Sequence, residues 1–134
     1  MLKLYTDAAT KGNPGPSGAG ILIVGHGEPV EQSVALPVMS NHQAEFRAAA
    51  LGLEAVINQG WQDEQVTLIT DSQIVVDALD KQYAKHFAAE VTAIVQLADQ
   101  IKLVIPTWRN DHSNRRAHEL AQVGLHAAEK RLAN

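Results

Sequence analysis

The chain has 134 residues and no cysteine, which excludes disulfides and thiolate metal sites. Its formal net charge of −4 excludes a molecule that grips nucleic acid by bulk positive charge; such binding has to come from local basic groups, metal ions and backbone donors. With 46 % hydrophobic but only 4 % aromatic residues, the core has to be built from Leu, Ile, Val and Ala, within one domain spanning residues 1–134.

In chain order, residues 1–7 predict a first strand, closed by Asp7. Residues 10–18 are rich in Gly and Pro and predict a loop. Residues 19–24 are almost continuously apolar and predict a buried strand. After the turn His26-Gly27-Glu28-Pro29, residues 30–38 predict a third strand with Val34, Leu36 and Val38 on one face. Strands so close in sequence imply an antiparallel meander. Ser40 or Asn41 caps a helix reaching about Gln59, with Ala44, Ala48, Leu51 and Ala55 as its apolar stripe, Glu45 in its first turn and Gly60 after its end. Residues 66–71 predict a fourth strand closed by Asp71, followed by helices over 72–79 and 87–100. Residues 102–108 predict a fifth strand, 110–113 a polar loop and 114–132 a last helix. The order β-β-β-α-β-α-α-β-α is an α/β fold without internal repeat or linker. No apolar run reaches membrane-spanning length and no signal-peptide pattern opens the chain, so no membrane partner and a cytoplasmic location are expected.

Asp7, Glu45 and Asp71 are the most informative residues. In open α/β sheets the reactive crevice lies beyond the carboxyl ends of the strands. Carboxylates gathered there repel one another unless a cation lies between them. The three acids therefore predict a Mg²⁺ or Mn²⁺ site, on condition that the first and fourth strands are near neighbours. Taken singly, Glu45 reads as a solvated helix charge and Asp71-Ser72 as a helix cap. The loop after Asp7 does not cradle a nucleotide phosphate: Gly15-Pro16-Ser17-Gly18-Ala19-Gly20 does not fit G-x-G-x-x-G and precedes a strand. His42, His112 and His118 fall near the acidic elements. His118 and His126 share a helix face without a third zinc ligand. Lys130 and Arg131 complement the last helix's dipole, and Arg109, Arg115 and Arg116 form the best local basic patch.

Four segments, in order, resemble type 1 ribonuclease H. Thr6-Asp7-Ala8-Ala9 with Gly12-Asn13-Pro14-Gly15-Pro16 is similar to the family's first acidic strand and loop. Ser40-Asn41-His42-Gln43-Ala44-Glu45 is similar to its polar turn and second acid, and Thr70-Asp71-Ser72-Gln73 to its third. Residues 109–121, with Asn114, Ala117, Leu120 and Ala121 in register, resemble the segment carrying its fourth acid. The resemblance implies a ribonuclease H-like fold: a five-stranded mixed sheet flanked by helices, the fourth strand parallel to the first. It implies an endonuclease that hydrolyses the RNA strand of RNA–DNA hybrids, using two divalent ions (Mg²⁺ or Mn²⁺) and no organic cofactor, and leaving 5′-phosphate and 3′-OH ends. Asp7 would bridge both ions, and Glu45 and Asp71 would hold the one on the leaving-group side. Gly12, Asn13, Asn41, Ser72, Arg109 and Asn114 are the implied substrate contacts; Gly12, Asn13 and Asn41 would face the minor groove, where the 2′-OH marks RNA.

The chain departs from the family pattern in three places. Ala8 replaces the usual glycine after the first acid. Tyr83-Ala84-Lys85-His86 is too short and too weakly basic to be the Lys/Arg- and Trp-rich handle of some members. His118 stands where the fourth Asp is expected; a neutral imidazole binds a divalent ion but favours Mn²⁺ and softer ions over Mg²⁺. Glu119 points about 100° away from it on the helix. Asp111 in the preceding loop is a candidate to reach into the site, and the resemblance implies for His112 the role of a mobile histidine that some members use. A metal-dependent hybrid ribonuclease is the leading expectation. A ribonuclease H-fold binding module with weak or no catalysis is the alternative, and a related nuclease for other structured substrates is a third.

Overall fold

The computed structural model describes residues 1–110 and 112–133, so Asp111 lies outside the described residues. Five strands, β1 (Leu2–Thr10), β2 (Gly15–Val24), β3 (Val30–Met39), β4 (Gln65–Thr70) and β5 (Leu103–Trp108), form one mixed sheet in the order β3-β2-β1-β4-β5. The first three pair antiparallel, as their short connections require; β4 runs parallel to β1, and β5 parallel to β4. Helices α1 (Asn41–Asn58), α2 (Gln73–Lys81), α3 (Ala88–Ala98) and α4 (Arg115–Ala133) complete the fold. Element order is as the sequence predicted, and the mixed sheet and the adjacency of β1 and β4 are as the resemblance implied. No described helix is long and apolar enough to cross a membrane.

The main core lies between the sheet and α1. Leu2 and Leu4 of β1, Ile21 and Ile23 of β2, and Val66 and Leu68 of β4 meet Phe46, Leu53 and Val56 of α1, with Val75, Val91 and Ile94 closing the layer from α2 and α3. On the opposite face, α4 covers β1, β2 and β3. Two helices thus sandwich β2, which explains why its sequence is almost continuously apolar.

The contact with α4 is unusually close. A Cβ on Gly18 would lie 2.1 Å from the Leu125 amide nitrogen, and one on Gly20 would lie 2.0 Å from the Ala117 carbonyl oxygen. From the helix side, a Cβ on Gly124 would lie 2.5 Å from the Val34 carbonyl oxygen. Backbone therefore rests on backbone, and no side chain fits between.

Several expected boundaries shift. Asp7 does not close β1: the strand runs on to Thr10 because its pairing with β2 continues to Thr10↔Ser17, after the parallel pairing with β4 has ended at Tyr5↔Ile69. For the same reason the expected loop over 10–18 shrinks to the turn before Gly15, closed by Lys11 N–H donating to Pro16 O at 3.0 Å. Val38 does not share the inner face with Leu36; it is 53 % exposed, because the β2–β3 register slips between Gly15 and Ser17 and reverses the alternation. Glu45 is not in the first turn of α1, since Ser40 is the cap, its hydroxyl accepting from Gln43 N–H at 3.1 Å. A short 3₁₀ turn, His112–Asn114, precedes α4.

Candidate active site

The end of the β1–β4 pairing creates the site. Beyond Tyr5↔Ile69 the two strands part, and Asp7 sits two residues past the last parallel pair. Asp71 follows directly after β4, and α1 brings Glu45 down from its own face. Ligand oxygens of Asp7, Glu45 and Asp71 all lie within 4.8 Å of one another. They line a cleft of about 360 Å³ with Ala8, Thr10, Asn41, His42, Ser72 and His118.

Each acid is held differently. Glu45 Oε1 accepts the Ala8 N–H at 2.7 Å. That amide is free because β1 has no partner on its β4 side at this point. Asp7 is buried, and its Oδ2 lies 2.8 Å from His118 Nδ1. The approach of α4 explains the second contact: Asp7 pairs across the strands with Gly20, on which Ala117 rests, and His118 is the next residue of the helix. Asp71 is exposed and is tethered through its main chain, its carbonyl accepting from Trp108 Nε1–H at 3.1 Å.

Electrostatics agree with the geometry. Burial, then the charges of Asp7 and Asp71, push Glu45 up to about 9, against the backbone hydrogen bond from Ala8. Burial and the charge of Asp71 push Asp7 up to about 6, against the hydrogen bond and charge of His118. Three carboxylates so placed resist ionising together, and a divalent cation removes that resistance. The donors are hard oxygens on separate elements, the set that suits Mg²⁺ or Mn²⁺.

Of the sequence-derived site residues, Asp7, Glu45, Asp71, His118, Asn41 and Ser72 line the cleft. His118 is beside Asp7 but outside the triad of mutually close ligand atoms. Asn13 is exposed and acts at one remove, its Oδ1 accepting Asn41 N–H at 3.0 Å. Gly12, with φ +86°, sets the turn before it. Arg109 is exposed past β5, its own N–H donating to Thr70 O at 3.0 Å, and does not line the cleft. His112 is likewise exposed and off the cleft wall.

Asn114 is the clear reassignment. It is 5 % exposed, and its amide donates to Thr6 O at 3.2 Å, fastening the start of α4 to β1 beside Asp7. An Asn at a helix start reads as a polar surface residue, and only the packing of α4 turns it inward. Sequence reasoning missed Thr10, which became visible only once β1 was seen to continue past Asp7. It placed His42 near the acids without giving it a role; its ring lines the cleft and stands edge-on to Phe87 at 6.2 Å, while Phe87 stacks on Phe46 at 4.9 Å. It also missed the indole of Trp108.

Comparison with known proteins follows the same lines. EbsB of Enterococcus faecalis, whose name gives a provisional hydrolase class and no substrate, is 36 % identical over 93 % of this chain and 94 % of its own. Ribonuclease H of Pseudomonas fluorescens is 32 % identical over 92 % of this chain and 91 % of its own. Among solved structures, RNase H1 of the archaeon Halobacterium salinarum superposes with a TM-score of 0.86 at 30 % identity, covering 95 % of this chain and 98 % of its own. The family model for RNase H matches residues 1–125, and with the acidic cleft and strand order already described, this chain belongs to the RNase H family.

Proposed function

We propose that this protein is a divalent-metal-dependent endonuclease that hydrolyses the RNA strand of RNA–DNA hybrids in the cytoplasm, leaving 5′-phosphate and 3′-OH ends. The observation that carries this reading is the convergence of Asp7, Glu45 and Asp71 within 4.8 Å in an open cleft. Family membership supports the reaction class. Two bound divalent ions, Mg²⁺ or Mn²⁺, would supply an activated water and stabilise the leaving 3′ oxygen.

The chain's own residues take the remaining roles. Asp7 would be the shared ligand, its carboxylate being close to those of Glu45 and Asp71 and bonded to His118. Glu45 and Asp71 would complete the leaving-group side. His118 would be the fourth ligand; its Nδ1 is on Asp7 Oδ2, so an ion held by both side chains would have to replace that hydrogen bond. An imidazole there brings no negative charge, which favours Mn²⁺ over Mg²⁺. Asn41 and Ser72 line the cleft and are assigned to the hybrid, with Asn13 and Gly12 shaping Asn41 from the neighbouring turn. Arg109 offers a phosphate contact farther out, and His112, in the turn before α4, is assigned the mobile-histidine role in water activation or product release.

The test is cleavage of an end-labelled RNA–DNA hybrid in Mg²⁺ and in Mn²⁺, with Asp7→Asn as control and end analysis of the fragments. Cutting of the RNA strand alone, stronger in Mn²⁺, with activity down by about 10³-fold or more in the control, is expected. No cutting in either ion, or equal cutting by the control, overturns the enzyme. Tight hybrid binding without cleavage selects the second reading, a binding module, which the occupation of Asp7 Oδ2 by His118 favours.

A further inference from the structure

The geometry points to Trp108 as a positioning residue for the third metal-binding carboxylate: its indole N–H holds the main chain of Asp71 in line with Asp7 and Glu45. This rests on the metal-site reading above and deepens it.

The β4–β5 pairing ends at Thr70↔Trp108. The strand's main-chain bonds go one step further, with Arg109 N–H donating to Thr70 O at 3.0 Å. The next carbonyl, that of Asp71, has left the strand. The Trp108 side chain reaches it instead, Nε1–H donating to Asp71 O at 3.1 Å. Consecutive carbonyls 70 and 71 are thus tied to Arg109, just past β5, and to Trp108, its last residue. The turn is closed on its other side by Ser72 N–H donating to Thr70 Oγ1 at 3.1 Å. The indole in effect extends the sheet by the one residue that carries the acid.

The need for this tether follows from charge. Glu45 and Asp7 each have a side-chain oxygen fixed, by Ala8 N–H and by His118. No such bond to the Asp71 carboxylate is found among the described residues. Asp71 is also the exposed member of the cluster and repels the other two, so it is the one free to swing into solvent when no cation is bound. Holding its main chain limits that swing and keeps the third oxygen donor near the ion's position. Only Trp combines an N–H donor with the reach of a bicyclic ring from this strand position; Phe keeps the packing and loses the bond. Trp108 is 41 % exposed, so its ring contributes little as core.

The experiment is direct Mn²⁺ binding by calorimetry to wild type, Trp108→Phe, Asp71→Asn, the double variant, and Trp61→Phe as a remote indole control. Trp108→Phe is expected to weaken Mn²⁺ binding about three- to tenfold, the worth of one hydrogen bond. It should add nothing on the Asp71→Asn background and leave the melting temperature nearly unchanged. In hybrid cleavage it should raise the Mn²⁺ concentration for half-maximal rate while the rate at saturating Mn²⁺ recovers. Trp61→Phe should bind as wild type does. Unchanged Mn²⁺ affinity in Trp108→Phe, or an equal further loss on the Asp71→Asn background, overturns the positioning role alone. No Mn²⁺ binding by wild type, or Asp71→Asn binding as wild type does, overturns the metal site and this inference with it.

Discussion

The two halves of the sheet are built on opposite principles, and the site lies on the seam between them. Over β1, β2 and β3, α4 lies with its backbone against the strands, and Gly18, Gly20 and Gly124 leave no space for a side chain. Among the described residues, α4 gives the same face of β4 and β5 no comparable cover. There Leu103 is 47 % and Ile105 39 % exposed, and the edge strand carries Pro106, which a central strand would not tolerate. Asp7 and His118 belong to the closed half and are placed by packing that has no slack. Asp71 belongs to the open half and is placed by single hydrogen bonds. A cluster assembled this way has a rigid base and one adjustable member, which would suit the proposed binding of an ion and a substrate in turn.

The largest effect that tests this contrast is Gly20→Val. Its Cβ would meet the Ala117 carbonyl, so denaturant unfolding should show a loss of about 3 kcal/mol or more. A loss below about 1 kcal/mol would mean that α4 can lift off the sheet and that the closed half is not closed.

The next test uses the buried acids. Glu45 is raised from 4.5 to about 9 and Asp7 from 3.8 to about 6. A raised carboxyl favours the protonated folded state. Its contribution is complete below the unfolded value near 4 and is lost as pH rises through the folded one. Metal-free protein should therefore lose stability between about pH 4 and pH 9 on account of these groups, while the stabilisation by added Mn²⁺ grows over the same range. Glu45→Gln should flatten that slope and raise the metal-free melting temperature at pH 8 by about 3–8 °C. Thermal melts in EDTA across pH measure it, and an unchanged slope would remove Glu45 as its source.

A smaller change is expected at the seam itself. His118→Asp should improve Mg²⁺-supported cleavage several-fold, by adding a hard anionic oxygen beside Asp7. An unchanged Mg²⁺ rate would mean that the fourth ligand is unimportant or supplied elsewhere. Smallest of all, Ile105→Thr on the open half should shift stability by no more than about 0.5 kcal/mol, and a larger loss in denaturant titration would show that this face is covered.

Much of this was legible in the chain. Hydrophobic periodicity and turn residues located the strands and helices because each pattern reflects a local requirement: two-residue alternation for a half-buried strand, a 3.6-residue stripe for a helix, Ser40 for a helix start. Asp7 was marked because a carboxylate closing an apolar run is unusual for packing, and Glu45 and Asp71 were marked by forming a triplet with it and by the resemblance of the 40–45 and 70–73 segments. What was hidden depended on partners distant in sequence. The three residues of β1 past Asp7 are strand only because β2 lies beside them, and Val38 faces outward only because of a slip against β2.

The sequence by itself determined the element order, the class of fold and the three residues that repel one another enough to call for a cation. These follow from local patterning and residue chemistry, which a chain carries wherever it folds. Tertiary structure alone decided that Asn114 is a buried fastener, that His118 meets Asp7 without joining the close triad, and that the indole of Trp108 holds Asp71. Each of these depends on two segments far apart in the chain being brought within hydrogen-bonding distance, and no local pattern records that distance.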